Sequence, residues 1–180
     1  MNILIICGES SSNALGAKLA KVLLNSNHHV FSFGNERIAK VSTQLMAIDT
    51  TQHSVSYGQW RKKRAFINHM TAILNESTIR FDKAVIIDFP SYNFNIASTL
   101  KQFQIPIVTF VTPNFWIWKN KRQAQKILNY SQDVITIFKP EFDLYSSLNK
   151  NKTHYFGHPI RLEIQKRTPQ SNAPFFIGIF

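Results

Sequence analysis

Asp88 follows the apolar run Ala84-Val85-Ile86-Ile87 and opens the stretch Asp88-Phe89-Pro90-Ser91-Tyr92-Asn93-Phe94-Asn95. A carboxylate just past a buried strand can take a proton from a substrate hydroxyl or orient it, with Asn93 beside it as an amide for sugar hydroxyls. The plain alternative is a carboxylate that only caps the next helix. A second acidic position, Glu9, lies in Gly8-Glu9-Ser10-Ser11-Ser12-Asn13, after the first apolar run. Its hydroxyls, Ser10 among them, together with free helix N–H groups suit a phosphate or a sugar. The loop lacks G-x-G-x-x-G, and Glu9 would repel a pyrophosphate, so a sugar-hydroxyl site fits it better than a dinucleotide site.

Two further places carry chemistry. In Val111-Thr112-Pro113-Asn114-Phe115-Trp116-Ile117-Trp118, Trp116 and Trp118 can stack on sugars or sit at a lipid interface. Lys119, Arg122 and Lys126 follow at spacings of three and four, which puts them on one face of a helix over 119–128. In Tyr155-Phe156-Gly157-His158-Pro159, His158 ends the last strand, where it would face an interdomain cleft if it is more than structural.

The elements that must hold these residues are read from alternating patterns. Short apolar runs over 3–7, 29–33, 45–48, 84–87, 107–111 and 134–138 alternate with helical patterns over 14–24, 60–74, 96–103, 119–128 and 142–148. Continuous β-branched strands separated by helices imply a parallel sheet covered on both faces, a Rossmann-like α/β domain over residues 1–160. Ser12 or Asn13 is expected to cap the first helix, and Pro140 with Glu141 suits a first helical turn. Residues 161–180 read as a linker and the first strand of a further domain. The apolar end of that run, 175–180, could also pair with another chain, which leaves oligomeric state open.

Composition bounds the partners. Of 180 residues, 21 are Lys or Arg and 10 Asp or Glu, a net charge of +11 that favours an anionic partner. Trp60-Arg61-Lys62-Lys63-Arg64-Ala65-Phe66 joins four basic residues to aromatics on a helix that could lie on an anionic bilayer. A nucleic-acid reading rests on charge alone, and none is expected as a partner. The single cysteine, Cys7, allows no disulfide framework and fits a reducing compartment. The first residues are too short an apolar stretch, and lack the basic leader, for a signal peptide or span.

Taken in order, these blocks resemble the lipid-A-disaccharide synthase family, with its G-E-x-S-G-D loop, I-D-x-P-D-F-N strand end, V-S-P-x-x-W-A-W-x-x-x-R block and G-H-P turn. The resemblance implies the N-terminal half of a GT-B glycosyltransferase, needing neither metal nor cofactor. Such an enzyme joins UDP-2,3-diacylglucosamine to 2,3-diacylglucosamine 1-phosphate with inversion, releasing UDP, at the cytoplasmic face of the inner membrane. The donor is held mainly by the other half, so this half by itself is expected to be inactive.

On that resemblance Asp88 and Glu9 are the functional carboxylates, and Lys119 and Arg122 meet the acceptor phosphate. Ser10, Ser91, Asn93, Trp116, Trp118 and His158 contribute to substrate binding. Trp60, Arg61, Lys62, Lys63, Arg64 and Phe66 face the membrane. The sequence departs from the family at two points. Ser12-Asn13 replaces G-D, and Ser91 replaces the aspartate proposed as the family's catalytic carboxylate. Serine is a poor base at neutral pH, so either Asp88 takes over or activity is reduced or lost. The alternative is a non-catalytic homologue that keeps an anionic acylated-sugar or membrane site.

Overall fold

The computed structural model describes residues 1–48, 59–89, 92–113, 117 and 119–159, the side chains of 59–62 excepted. Ser91, Trp116, Trp118, the side chains of Trp60, Arg61 and Lys62, and residues 161–180 therefore lie outside the description.

Strands and helices alternate along the chain. The strands are β1 (Asn2–Cys7), β2 (His29–Gly34), β3 (Thr43–Ala47), β4 (Lys83–Ile87), β5 (Ile107–Phe110), β6 (Asp133–Thr136) and β7 (Thr153–Tyr155). The helices are α1 (Ser10–Asn25), α2 (Glu36–Ala39), α3 (Gln59–Glu76), α4 (Asn93–Gln102), α5 (Lys121–Tyr130) and α6 (Lys139–Leu148). The strands form one parallel seven-stranded sheet in the order β3-β2-β1-β4-β5-β6-β7. This is the expected Rossmann-like α/β architecture.

Period-two alternation splits β1 between two apolar layers. Ile3, Ile5 and Cys7 face one side with Val85 and Ile87, under Ala17, Ala20 and Ile38 from α1 and α2. Leu4 and Ile6 face the other with Ala84 and Ile86, under Met70 and Leu74 of α3 and Ile96 and Leu100 of α4. A strand buried on both faces needs apolar residues at every position, which is why β1 and β4 read as unbroken runs. Gly16 brings α1 against β1, since a Cβ there would stand 2.6 Å from Cys7 Sγ and 3.0 Å from Ile38 Cδ1. Cys7 is fully buried, and burial pushes its thiol far above the ordinary range.

Helices α1, α4 and α6 start three or four residues before their apolar patterns and α5 starts two later, and two of these starts bear on site residues. The N-cap of α1 is Glu9, not Ser12 or Asn13. Ser12 is the third helical residue, and its Oγ accepts from Glu9 N–H at 2.9 Å and donates to Glu9 O at 2.8 Å. Asn13 is buried because it holds two loops together, donating to Glu9 O at 2.7 Å and accepting from Asn35 N–H at 2.8 Å. Helix α5 begins at Lys121, not at 119, because the Asn120 side chain caps it by accepting from Gln123 N–H at 3.1 Å. Lys119 has φ 48° and lies before the helix, so the expected three-residue basic stripe reduces to Arg122 and Lys126.

Candidate active site

Strand order reverses at β1, which pairs with both β2 and β4. Ligand sites in open α/β sheets form beyond the carboxyl ends at such a switch point. Cys7 and Ile87 are register partners at the ends of β1 and β4, so Gly8-Glu9 and Asp88 leave the sheet side by side. Gly8 is required there, because a Cβ would meet the Phe89 ring at 2.1 Å.

A cleft of about 410 Å³ opens at this edge, lined by Glu9, Ser12, Lys18, Asp88, Phe138 and His158 among others. It gathers three candidates from distant parts of the chain. The His158 ring lies 5.5 Å from that of Phe138, which is 43% exposed at the cleft. The backbone bends sharply at the rim. Asp88 has φ 38°, and Val111, also in the cleft wall, has φ 62°, a conformation unfavourable for a β-branched residue.

Asp88 is the perturbed group. Burial first, then repulsion from Glu9 and Glu141, raises its carboxyl from 3.8 to about 6. A carboxylate with that value is mostly ionised at neutral pH and more basic than an exposed aspartate, which suits proton abstraction from a hydroxyl.

The other candidates lie apart from this cleft. Asn93 is 1% exposed, and its Nδ2 has no hydrogen-bond partner among the described residues. Lys119 and Arg122 are exposed at the start of α5, and neither lines the cleft. Ser10 is exposed at the start of α1, where its neighbours Ser11 and Ser12 line the cleft instead. Phe66, expected to face a membrane, turns inward, with its ring 5.7 Å from Phe89 and 5.1 Å from Tyr92. Lys63 stands 5.7 Å above the Tyr92 ring, and Arg64 is exposed.

Two residues of the site went unread in the sequence. Lys18 reaches the cleft from the third turn of α1. Its signal was available, because Ser11, Leu15 and Lys18 are spaced by four and three and share a helix face. Glu141 is 1% exposed and accepts four hydrogen bonds: from Thr112 N–H (2.9 Å), Thr112 Oγ1 (2.6 Å), Ile137 N–H (2.9 Å) and Phe138 N–H (3.1 Å). Its only sequence signal is a glutamate in the first turn after Pro140. Among the described residues no three His, Cys, Asp or Glu side chains group as metal ligands.

The profile of the family described as Lipid-A-disaccharide synthetase matches residues 3–179. The chain belongs to that family. The lipid-A-disaccharide synthase of Acidobacterium capsulatum is 28% identical over 173 residues, covering 88% of this chain and 40% of the relative. That of Coxiella burnetii is 27% identical over 163 residues, covering 88% and 43%. A shorter match, 34% over 100 residues, joins 55% of the chain to 27% of the Aquifex aeolicus lipid-A-disaccharide synthase. The chain thus spans less than half the length of the synthases it matches. Among solved structures, Acinetobacter baumannii MurG superposes with a TM-score of 0.57 at 10% identity, over 97% of this chain and 48% of MurG. That likeness concerns the fold.

Proposed function

We propose that residues 1–160 are the acceptor-binding half of a lipid-A-disaccharide synthase, and that 161–180 lead into a second domain holding the donor in a GT-B arrangement. The reaction joins 2,3-diacylglucosamine, carried on UDP, to 2,3-diacylglucosamine 1-phosphate. The observation that carries this reading is the meeting of Glu9, Asp88 and His158 at one cleft, in a chain that matches the synthetase family from residue 3 to 179.

In the reaction Asp88 takes the proton of the acceptor hydroxyl as its oxygen attacks the anomeric carbon of the donor. The new C–O bond forms on the face opposite the leaving group, and the bond to the diphosphate breaks, so UDP departs with the electron pair. Glu9 holds sugar hydroxyls in the cleft, which His158 also lines, with Ser10, outside the cleft, and Ser91 contributing; Asn93, 1% exposed, is buried away from the sugar. Trp116 and Trp118 stack on the sugar, and Lys119 and Arg122 meet the acceptor phosphate from outside the cleft.

The acceptor is an anionic lipid, so we place the protein at the inner face of the inner membrane, bound peripherally through Trp60, Arg61, Lys62, Lys63 and Arg64. No described helix is long and apolar enough to cross a membrane. Ser91 supports a second reading, a homologue that binds acceptor without transferring sugar, because it stands where the family resemblance implies the proposed catalytic aspartate.

Calorimetric binding of a short-chain 2,3-diacylglucosamine 1-phosphate to this chain tests the acceptor site. Arg122→Ala should weaken binding about tenfold, the order of one charge-assisted phosphate contact. Asp88→Ala should change it less, since a base acts mainly on the transition state. Wild-type affinity in Arg122→Ala would remove the phosphate assignment.

A further inference from the structure

Glu141 does more than cap a helix. Capping α6 requires only Oε2, which accepts from the N-cap residue Phe138 and from Ile137. Oε1 is committed instead to both donors of Thr112, 29 positions away and just past the end of β5. Thr112 follows Val111, whose backbone is held at φ 62°. Val111, Ile137 and Phe138 all line the cleft. One buried side chain thus holds two residues of the cleft lining, Ile137 and Phe138, together with Thr112, the neighbour of a third, Val111, and all four of its contacts are charge-assisted.

We propose that Glu141 is a positioning residue of the cleft: by tying the end of β5 to the end of β6, it sets the wall against which the acceptor sugar is held before Asp88. This rests on the reading of the cleft as an acceptor-sugar site. Glu141 touches no substrate and acts through Val111 and Phe138. The titratable groups that line or brace the cleft are Glu9, Lys18, Asp88, His158 and Glu141, with the buried Tyr145 phenol beside Thr112 and Glu141. The Glu141 charge also contributes, after burial and Glu9, to holding the Asp88 carboxyl up near 6.

The test uses Glu141→Gln, which keeps the shape but turns one acceptor into a donor facing N–H groups. Thr112→Val removes one of the four bonds and leaves the charge. Asp143→Asn is the control on the same helix, where Asp143 pairs with Lys139 at the surface. Acceptor binding by calorimetry and titration of the Asp88 side-chain carboxyl by NMR are read together. Glu141→Gln should bind the acceptor about tenfold more weakly, as a small displacement of a binding wall implies. It should also titrate Asp88 at lower pH, because a neighbouring negative charge is gone. Thr112→Val should lose a smaller part of the binding with the Asp88 titration unmoved, and Asp143→Asn should change neither.

A folded Glu141→Gln chain with wild-type affinity would overturn the proposal. If that variant does not fold, Thr112→Val decides, and wild-type affinity there overturns it equally. If the wild-type chain binds no acceptor, the acceptor reading fails on its own. The positioning role is then judged by the amide shifts of Val111 and Phe138 in Thr112→Val, and shifts unchanged from wild type overturn it.

Discussion

Asp88 carries the clearest physical signature in the molecule, and its pH behaviour can be worked out. Its carboxyl titrates near 6 when folded, against an ordinary 3.8, with burial the largest cause. The folded chain therefore holds this proton more tightly than the unfolded one. The associated stability is complete below about 3.8 and is lost as pH rises through 6. Asp88→Asn, which stays neutral, should match the wild type in melting temperature near pH 3.5. At pH 7.5 it should melt a few degrees higher, since about 1 kcal/mol moves a domain of this size by roughly 2–4 °C. Parallel melting curves across that range would mean that Asp88 is not desolvated. The position of Asp88 was legible in the sequence, because a carboxylate directly after a buried strand must emerge at the sheet's carboxyl edge. Glu141 was not, because its role depends on Thr112, a partner that only the fold brings near.

At the scale of elements, the alternation of strands and helices was legible because strands buried on both faces leave unbroken apolar runs. Helix starts were less so. The α1 boundary turned on Ser12 bonding back to Glu9, and several polar residues in a row made the cap ambiguous. The short helix α2, four residues with one buried side chain, leaves no periodic pattern to read. Helix α3 shows how a sequence face and a structural face can differ. Its basic run looked continuous with Phe66, yet Phe66 packs on Phe89 and Tyr92 while Lys63 and Arg64 follow the surface. Vesicles containing phosphatidylglycerol should bind the chain in preference to neutral ones. The Lys63→Ser/Arg64→Ser double variant should lose on the order of tenfold or more of that preference, at roughly 1 kcal/mol per residue. Phe66→Ala should leave the preference intact and instead destabilise the fold by about 3 kcal/mol. Equal binding to both vesicle types would remove the membrane-surface role of α3.

For the whole molecule, the central feature is a single parallel sheet whose strand order reverses beside β1, so that loops from both ends of the chain meet over one edge. The described residues of the blocks that carry the family resemblance follow β1, β4, β5 and β7. They were legible together because the fold requires each of them to follow a strand. The geometry within them was not legible, as Lys119 and Arg122 standing clear of the cleft illustrates. A net charge of +11 favours an anionic partner. The most direct measurement is sugar transfer from UDP-2,3-diacylglucosamine to 2,3-diacylglucosamine 1-phosphate, run with this chain by itself and with the C-terminal half of a family synthase supplied. UDP and disaccharide should be released only when the second half is present, and not by Asp88→Ala. Absence of transfer in both mixtures, with the supplied half active beside its own partner, would contradict the account.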